Sequence, residues 1–185
     1  MILKKLREET AQFHLLAEQL NFSNELANNS ITTEDYGILL KRLYLFFFQL
    51  SMLEAFNNRN FFHDYFFSEK VHLLSLDISN VGNGFMNNQH LFKNVSYLEY
   101  LGFCYVAVGS MLGGNFIFNN LNINEQTSNR KFPKRFYESC GESVERYWKL
   151  FTAFLQNTSP SEHDGIINGA KIAYLYFIYL CTTIK

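Results

Sequence analysis

Residues Tyr105 to Phe118 read YVAVGSMLGGNFIF and place three glycines, Gly109, Gly113 and Gly114, inside a run that is otherwise apolar and helix-like. Their spacing of i, i+4 and i+5 brings them to about one face of a helix. Glycine inside a helix costs roughly 1 kcal/mol relative to alanine. The usual compensation is that another helix, or a flat ligand, approaches the backbone closely. The stretch therefore predicts a kinked helix with a close-lying partner.

On both sides of this stretch, apolar residues recur at helical spacing, and the 185 residues include only two prolines. This pattern favours an all-α fold. No internal repeat or low-complexity linker occurs, so we expect residues 1–185 to form a single domain. The predicted helices cover residues 3–21, 34–57, 69–81, 96–121, 134–156 and 162–182.

The segments between these helices carry turn and cap signals. Gly82 and Gly84 are expected to close the third helix, and Pro133 to open the fifth. Residues 122–130 are polar and are predicted to form a loop. In the second helix Lys41 and Arg42 form a short polar gap in an otherwise apolar sequence. The adjacent His63 and Asp64 do not face each other on a helix and are interpreted as surface residues.

The composition limits the classes of partner and the cellular compartment. The chain is 48% hydrophobic and 17% aromatic, which suits a thick core or a pocket for a flat ligand. A net charge of −1 gives no support for a nucleic-acid partner or an anionic membrane surface. Three cysteines without metal-ligand spacing indicate reduced thiols. The charged start MILKKLREET lacks a signal core, and the apolar run 172–181 is expected to be too short for membrane insertion. These features predict a cytoplasmic protein.

The first predicted helix carries one histidine with charged neighbours. Arg7 lies seven residues before His14, on nearly the same face and about 10 Å along the axis, and Glu18 follows at i+4. A histidine with an arginine two turns away suits an iron ligand together with a cation for a carboxylate of the same ligand. Taken alone, a boundary histidine with two solvated charges is the simpler interpretation.

Several segments, in order along the whole chain, resemble haem oxygenases. Leu6 to Thr10 followed by His14 is similar to the opening LRxxT…H of that family. Tyr105 to Gly114 resembles the YVxxGSxLGG of its distal helix, and bacterial members are the most similar, including those that work beside bacteriophytochromes. Three further segments resemble bacterial signatures: LLKRLYLFF at 39–47, KVHLLSLDI at 70–78 and FYESCGESVERYWKLFTAFL at 136–155.

The resemblance implies a helical bundle that holds haem between the first helix and the kinked distal helix. His14 matches the proximal iron ligand, and Glu18 is the candidate that orients its second nitrogen. Arg7 occupies the position of a cation for a haem propionate. The aromatic residues expected around the macrocycle are Tyr105, Tyr174 and Phe177.

The resemblance also gives the glycines a role. Gly109, Gly113 and Gly114 would let the distal backbone lie close over the porphyrin, so that dioxygen is directed sideways toward one meso carbon. Ser110 stands where mammalian-type members have an aspartate, and bacterial members also have serine. A serine hydroxyl can donate and accept, so proton delivery would depend more on water and backbone carbonyls.

The activity implied is oxidative cleavage of haem, as both substrate and cofactor, to biliverdin, carbon monoxide and ferrous iron. Because the sequence has no flavin or nicotinamide fingerprint, electrons would come from an external ferredoxin or reductase. A bacteriophytochrome pathway is a candidate recipient of the product.

Two other classes stay open at this point. A protein of the same fold could bind haem for storage, transfer or sensing without degrading it. A different enzyme on the same bundle could be a non-haem di-iron oxygenase or a thiamine-degrading enzyme. A di-iron site needs repeated Glu-x-x-His motifs, and only Glu69 to His72 has that spacing. The thiamine-degrading alternative needs a nucleophilic cysteine, for which Cys104 and Cys140 lack sequence support.

Overall fold

The computed structural model of the chain describes residues 1–56, 62, 65–81 and 91–185. Across those residues it has no β-strand, which confirms the all-α prediction. Arg59, His63, Asp64, Gly82 and Gly84 lie outside the described residues. The helices are α1 (Ile2–Leu20), α2 (Ser23–Ala27), α3 (Thr33–Phe56), α4 (Phe66–Asn80), α5 (Tyr97–Met111), α6 (Gly114–Ser128), α7 (Arg135–Glu138), α8 (Glu142–Gln156) and α9 (His163–Thr183).

The long central helix predicted from the glycine stretch is divided in two. Helix α5 ends at Met111 and α6 begins at Gly114, so the disturbance predicted there is confirmed. Helix α6 then continues to Ser128, and the loop predicted for residues 122–130 is wrong. Polar residues at these positions form the outer face of a helix, while Asn124 is buried and its side chain donates to the carbonyl of Ile31 at 3.1 Å.

Two shorter differences concern the helix ends. Helix α2, which follows the α1 turn, was not predicted from the sequence. The segment predicted as one helix over 134–156 is two helices, α7 and α8, that meet at Gly141. Pro133 precedes this segment without lying inside it, and Thr32 caps α3 by accepting a hydrogen bond from the Asp35 amide at 3.0 Å.

Helix α3 occupies the centre of the core, as its nearly uniform apolar sequence predicts. Tyr36, Leu40, Phe47 and Leu50 on this helix have no exposed area. The ring of Phe47 lies edge-on to Phe136 of α7, with 5.2 Å between the ring centroids. Helix α3 therefore links the α4 and α7 side of the molecule to α9.

Helices α5 and α9 approach each other so closely that no side chain fits between them at three glycines. A Cβ built on Gly102 would clash with the backbone of Ile166 and Ala170, and one on Gly169 would clash with the backbone of Glu99. A Cβ on Gly165 would lie 2.9 Å from the Cβ of Leu98. Because Leu98 faces Gly165 and Gly102 faces the following turn of α9, the two helices run in the same direction.

Arg42, one of the two residues of the polar gap in the α3 sequence, is buried. The side chain is 5% exposed, and its guanidinium contacts the ring of Phe22 at 4.8 Å from the centroid. It donates to the Leu20 carbonyl at 3.0 Å and to the Cys181 carbonyl at 3.0 Å, and to Ile184 at 2.9 Å. Carbonyls at helix C-termini lack intrahelical partners and carry partial negative charge. One buried cation therefore ties the end of α1 to the end of α9.

Within the described residues, three helical segments are long and apolar enough to cross a membrane, judged by length and composition alone: Thr33–Phe56, Tyr97–Ser128 and Pro160–Thr183. The third is longer than the final apolar run 172–181, which it contains. In the fold, 61%, 56% and 44% of the respective apolar windows are buried within the chain. Packing between helices accounts for much of their apolar character.

We predict that Arg42→Met lowers the free energy of unfolding by roughly 2–4 kcal/mol, because it leaves several buried carbonyls without their charged donor. Urea denaturation followed by far-UV circular dichroism measures this change. Lys41→Met, at the neighbouring and partly exposed position, is the control and should change the free energy by less than ~0.5 kcal/mol. Equal losses in the two variants would contradict the proposed link between α1 and α9.

Candidate functional site

A cavity of about 640 Å³ lies between α1 and the α5–α6 break. Apolar and aromatic side chains predominate in its walls, as is usual for a small-molecule site, and α1 adds the polar groups of Arg7, Thr10, His14 and Glu18. Helices α2, α3, α7, α8 and α9 complete the lining. Among the predicted site residues, those that line the cavity are Arg7, His14, Glu18, Tyr105, Gly109, Ser110, Gly113, Tyr174 and Phe177.

Helix α1 presents the predicted histidine to this cavity. His14 and Glu18 are one turn apart, and the side chain of each is 55% exposed. The Nδ1 atom of His14 lies 3.5 Å from Oε2 of Glu18. Because the carboxylate is on the Nδ1 side, Nε2 is the nitrogen left for another ligand. The ring of Tyr174 on α9 stands edge-on to the imidazole, at 5.9 Å between centroids.

Arg7 and Tyr105 meet across the cavity, from α1 and α5. Burial raises the pKa of the Tyr105 phenol, and the nearby positive charge of the Arg7 guanidinium opposes that rise. Burial also raises the pKa of Tyr174, with further contributions from Tyr105 and Glu18. Both phenols are therefore neutral hydrogen-bonding groups near physiological pH. Arg7 is the one lysine or arginine among the described residues that line the cavity.

The α5–α6 break forms the wall opposite His14, and its glycines differ in what surrounds them. A Cβ on Gly109 would lie 3.4 Å from Cη2 of Trp148, in ordinary van der Waals contact. A Cβ on Gly113 would meet only the carbonyl oxygen of Ser110, at 3.9 Å. The Ser110 hydroxyl donates to the Ala107 carbonyl at 2.7 Å, so its proton is already used within the helix.

Gly114 does not belong to this wall, and the expectation that it lines the cavity is corrected. It is buried, and a Cβ there would clash with the Cβ of Cys140 and lie 3.0 Å from its Sγ. The close partner of Gly114 is therefore the segment after α7. Gly114 comes five residues after Gly109, and this spacing turns it toward a neighbouring segment of the chain. The spacing does not identify that segment, which is known only from the position of α7.

The segment 136–148 lines the cavity with side chains that the sequence analysis did not single out as site residues. These are Phe136, Tyr137, Cys140 and Trp148. The indole ring of Trp148 lies 5.3 Å from the Tyr105 ring, centroid to centroid. The likeness of this segment to a family signature was the available signal. Periodicity alone assigned Trp148 to the core face of its helix.

Alternative chemistry finds little support in the described residues. No group of three or more His, Cys, Asp or Glu side chains there could hold a metal ion. Burial raises the pKa of the Cys104 thiol, and it raises that of Cys140 to about 12. A thiol with such a pKa carries little thiolate, which is the nucleophilic form.

The donor set and shape of the cavity suit haem. A half-exposed imidazole is available for iron, a guanidinium is available for a carboxylate, and aromatic rings from α8 and α9 line the sides. The opposite wall carries glycines instead of bulky side chains. Fold and site together define an all-helical protein with a pocket for a flat, metal-bearing ligand.

The comparison with protein families identifies the class. The model of the Heme oxygenase family matches residues 1–183. The chain therefore belongs to the heme oxygenase family, and it is a haem-degrading oxygenase with haem as its substrate and cofactor. No curated protein matches the sequence.

Two solved structures have the same fold. The NO- and CO-bound heme oxygenase from Neisseria meningitidis is similar with a TM-score of 0.68 and 16% identity, over 98% of this chain and 90% of that one. Heme oxygenase-1 from the cyanobacterium Synechocystis, solved in complex with heme, has a TM-score of 0.68 and 13% identity, over 100% and 92%. At these identities the likeness is one of fold.

The contrast between Gly113 and Gly114 gives a matched pair of variants. Gly114→Ala should lower the free energy of unfolding by roughly 1–3 kcal/mol, because its Cβ overpacks against Cys140. Gly113→Ala has space and should change stability by less than ~1 kcal/mol, but it should weaken haem binding if haem lies against this wall. Urea denaturation and haem titration measure the two effects. Equal destabilisation by both variants would contradict this assignment.

Proposed function

We propose that this protein cleaves haem at one meso carbon to biliverdin, carbon monoxide and ferrous iron, using dioxygen and electrons from an external donor. The observation that carries the proposal is the pairing of two walls in one cavity. His14 stands on α1, and the glycine-containing break between α5 and α6 lies opposite. When bound, haem supplies the iron centre for the oxygen chemistry, and the protein supplies orientation, exclusion of bulk water and protons.

On the α1 side, we propose His14 as the iron ligand through Nε2. Glu18 is close enough to Nδ1 to accept its proton in a hydrogen bond, directly or through water. Such a contact selects the tautomer with a free Nε2 and increases the basicity of the ligand.

At the edge of the cavity, we propose that Arg7 and Tyr105 bind a haem propionate. The guanidinium lies close enough to the phenol to lower its pKa, and an arginine can engage a carboxylate through two N–H groups. This contact would set the rotation of the macrocycle about the iron–histidine axis. Tyr174 and Phe177 of α9 would pack against the rest of the ring.

On the opposite side, we propose that Gly109, Ser110 and Gly113 form the oxygen-side wall. Gly113 has open space in front of its Cα, so a ligand can approach the backbone there. The Ser110 hydroxyl donates its hydrogen bond to the Ala107 carbonyl, so its lone pairs remain available to accept a hydrogen bond from water. A proton donor on this side must therefore be water or another side chain. Gly114 supports this wall from behind through Cys140.

The further context of the reaction also belongs to the proposal. A ferredoxin or a reductase would provide electrons, since the chain carries no flavin or nicotinamide fingerprint. Three buried free thiols agree with a cytoplasmic enzyme. The product would enter iron supply or a bacteriophytochrome pathway.

Turnover of bound haem tests the activity. Purified protein with haem, a ferredoxin and reductase system, and oxygen should convert the Soret spectrum into that of biliverdin. Chromatography of the product then identifies the meso carbon. Tight haem binding without any biliverdin would reject the enzymatic proposal and favour haem storage, transfer or sensing.

We predict that His14→Ala weakens haem binding by roughly tenfold or more, about 1.4 kcal/mol, because the iron loses its protein ligand. Added imidazole should restore the Soret band of the wild-type complex by filling the space. His72→Ala, which removes an exposed histidine on α4, is the control and should bind haem normally. An unchanged Soret band and affinity in His14→Ala would exclude His14 as the ligand.

A further inference from the structure

Tyr137 is a buried phenol that lines the cavity and has no role in the site described so far. Its side chain is 4% exposed. Within the described part of the chain, its hydroxyl makes no hydrogen bond. The hydroxyl also keeps some accessible area, since it is not among the fully buried polar atoms that lack a partner. The hydroxyl therefore opens onto the cavity. Tyr36 provides a contrast, because its hydroxyl donates to the Pro133 carbonyl at 2.7 Å.

The position of α7 puts this phenol on the oxygen side. Cys140 packs against Gly114, which directly follows Gly113 of the proposed wall. The Cys140 amide donates to the Tyr137 carbonyl at 3.0 Å, so the two residues belong to one turn. Tyr137 is thus in the segment that packs against the α5–α6 break.

Tyr137 is also the hydroxyl that remains available there. The described parts of α5, α6 and the α7 segment bring four hydroxyl or thiol groups to the cavity, and three of them have partners. Those three are Tyr105 with Arg7, Ser110 with the Ala107 carbonyl, and Cys140 with the Phe136 carbonyl at 3.3 Å.

A buried carboxylate holds Tyr137 in place. Asp77 of α4 has no exposed area and accepts from the Phe136 amide at 3.0 Å and from Nη1 of Arg135 at 3.3 Å. These contacts anchor the first turn of α7. The side chain of Arg135 is 48% exposed. The Asp77 carboxylate therefore connects a partly solvent-exposed side chain to the backbone of Phe136, the residue before Tyr137. Burial raises the pKa of the Tyr137 phenol, and Cys140 and Asp77 add to the rise. The phenol is therefore a neutral donor at physiological pH.

We propose that the Tyr137 phenol donates a hydrogen bond and a proton to water on the oxygen side of the cavity, and that Asp77 is the positioning residue that holds it there. In each transfer the phenolic O–H bond breaks as its proton passes to that water, while the water gives one of its own protons to the reacting oxygen, so no hydronium ion forms. A proton from solvent water re-forms the bond, so the phenol returns to its neutral state. This inference rests on the proposed function and supplies the donor that Ser110 does not.

Carbon monoxide bound to ferrous haem is the probe, because its stretching frequency responds to a hydrogen-bond donor near its oxygen. We expect Tyr137→Phe to bind haem with unchanged affinity and to shift the C–O stretch to higher frequency. Haem turnover should fall by roughly tenfold or more, the range for loss of a proton-transfer group. Tyr36→Phe is the matched control, since it removes a buried phenol hydroxyl that does not line the cavity, and it should leave the frequency unchanged.

Fluorotyrosine incorporated at position 137 tests the same contact without a change in packing. Its more acidic phenol is a stronger donor and should shift the C–O stretch to lower frequency, which decides the matter even if Tyr137→Phe does not fold. Asp77→Asn should shift the stretch in the direction of Tyr137→Phe. If Asp77→Asn alters only the unfolding midpoint, Asp77 has no positioning role.

An unchanged C–O stretch in both the Phe and fluorotyrosine proteins would overturn the proposal for Tyr137. That result is independent of catalysis. If the wild-type protein binds haem but does not degrade it, the proposed function fails, while the frequency comparison still shows whether Tyr137 faces the bound gas.

Discussion

The backbone contact between α5 and α9 is the constraint on which the cavity depends. Gly102 and Gly169 bring the two helices together without any intervening side chain, which fixes their separation more tightly than apolar side chains of adjustable rotamer could. Because the helices run in the same direction from that contact, Tyr105 and Tyr174 come next on each and reach the cavity together. The capping box of Ser96 and Glu99 starts α5 at the same place, and Glu99 also accepts from Asn168 of α9 at 2.9 Å.

Arg42 provides hydrogen-bond donors for the C-terminal carbonyls of two helices. Helices α1 and α9 both end beside Arg42, and the last carbonyls of a helix need donors. A lysine could supply one point of positive charge, whereas the planar guanidinium reaches carbonyls of both helices. The position of α1, and with it that of His14, is thereby fixed relative to α9, the helix that carries Tyr174 and Phe177. The α1 wall of the cavity is thus fixed by a residue outside the cavity.

The three glycines of the central stretch have three different surroundings. Gly109 lies beside Trp148, Gly113 faces open space and Gly114 accommodates Cys140. The energetic argument that close approach compensates for glycine holds for Gly114, whereas Gly109 and Gly113 have room for a Cβ. It did not distinguish an approaching protein segment from an approaching ligand, because both remove the room for a Cβ in the same way. Of the three, Gly113 is the position where open space is available to a ligand.

Sequence periodicity determined the all-α class, the first helix and the last, and the central place of α3, since amphipathic spacing and continuous apolar runs are local properties. Spacing also placed His14, Arg7 and Glu18 on one face of α1, because 3.6 residues per turn require it. Tertiary structure decided which residues meet from different helices. The break at Gly141 and the packing of α7 bring Tyr137, Cys140 and Trp148 to the cavity. Arg42 links α1 to α9 because the ends of both helices lie next to it. Such contacts depend on distances between segments far apart in the chain, and no local pattern encodes those distances.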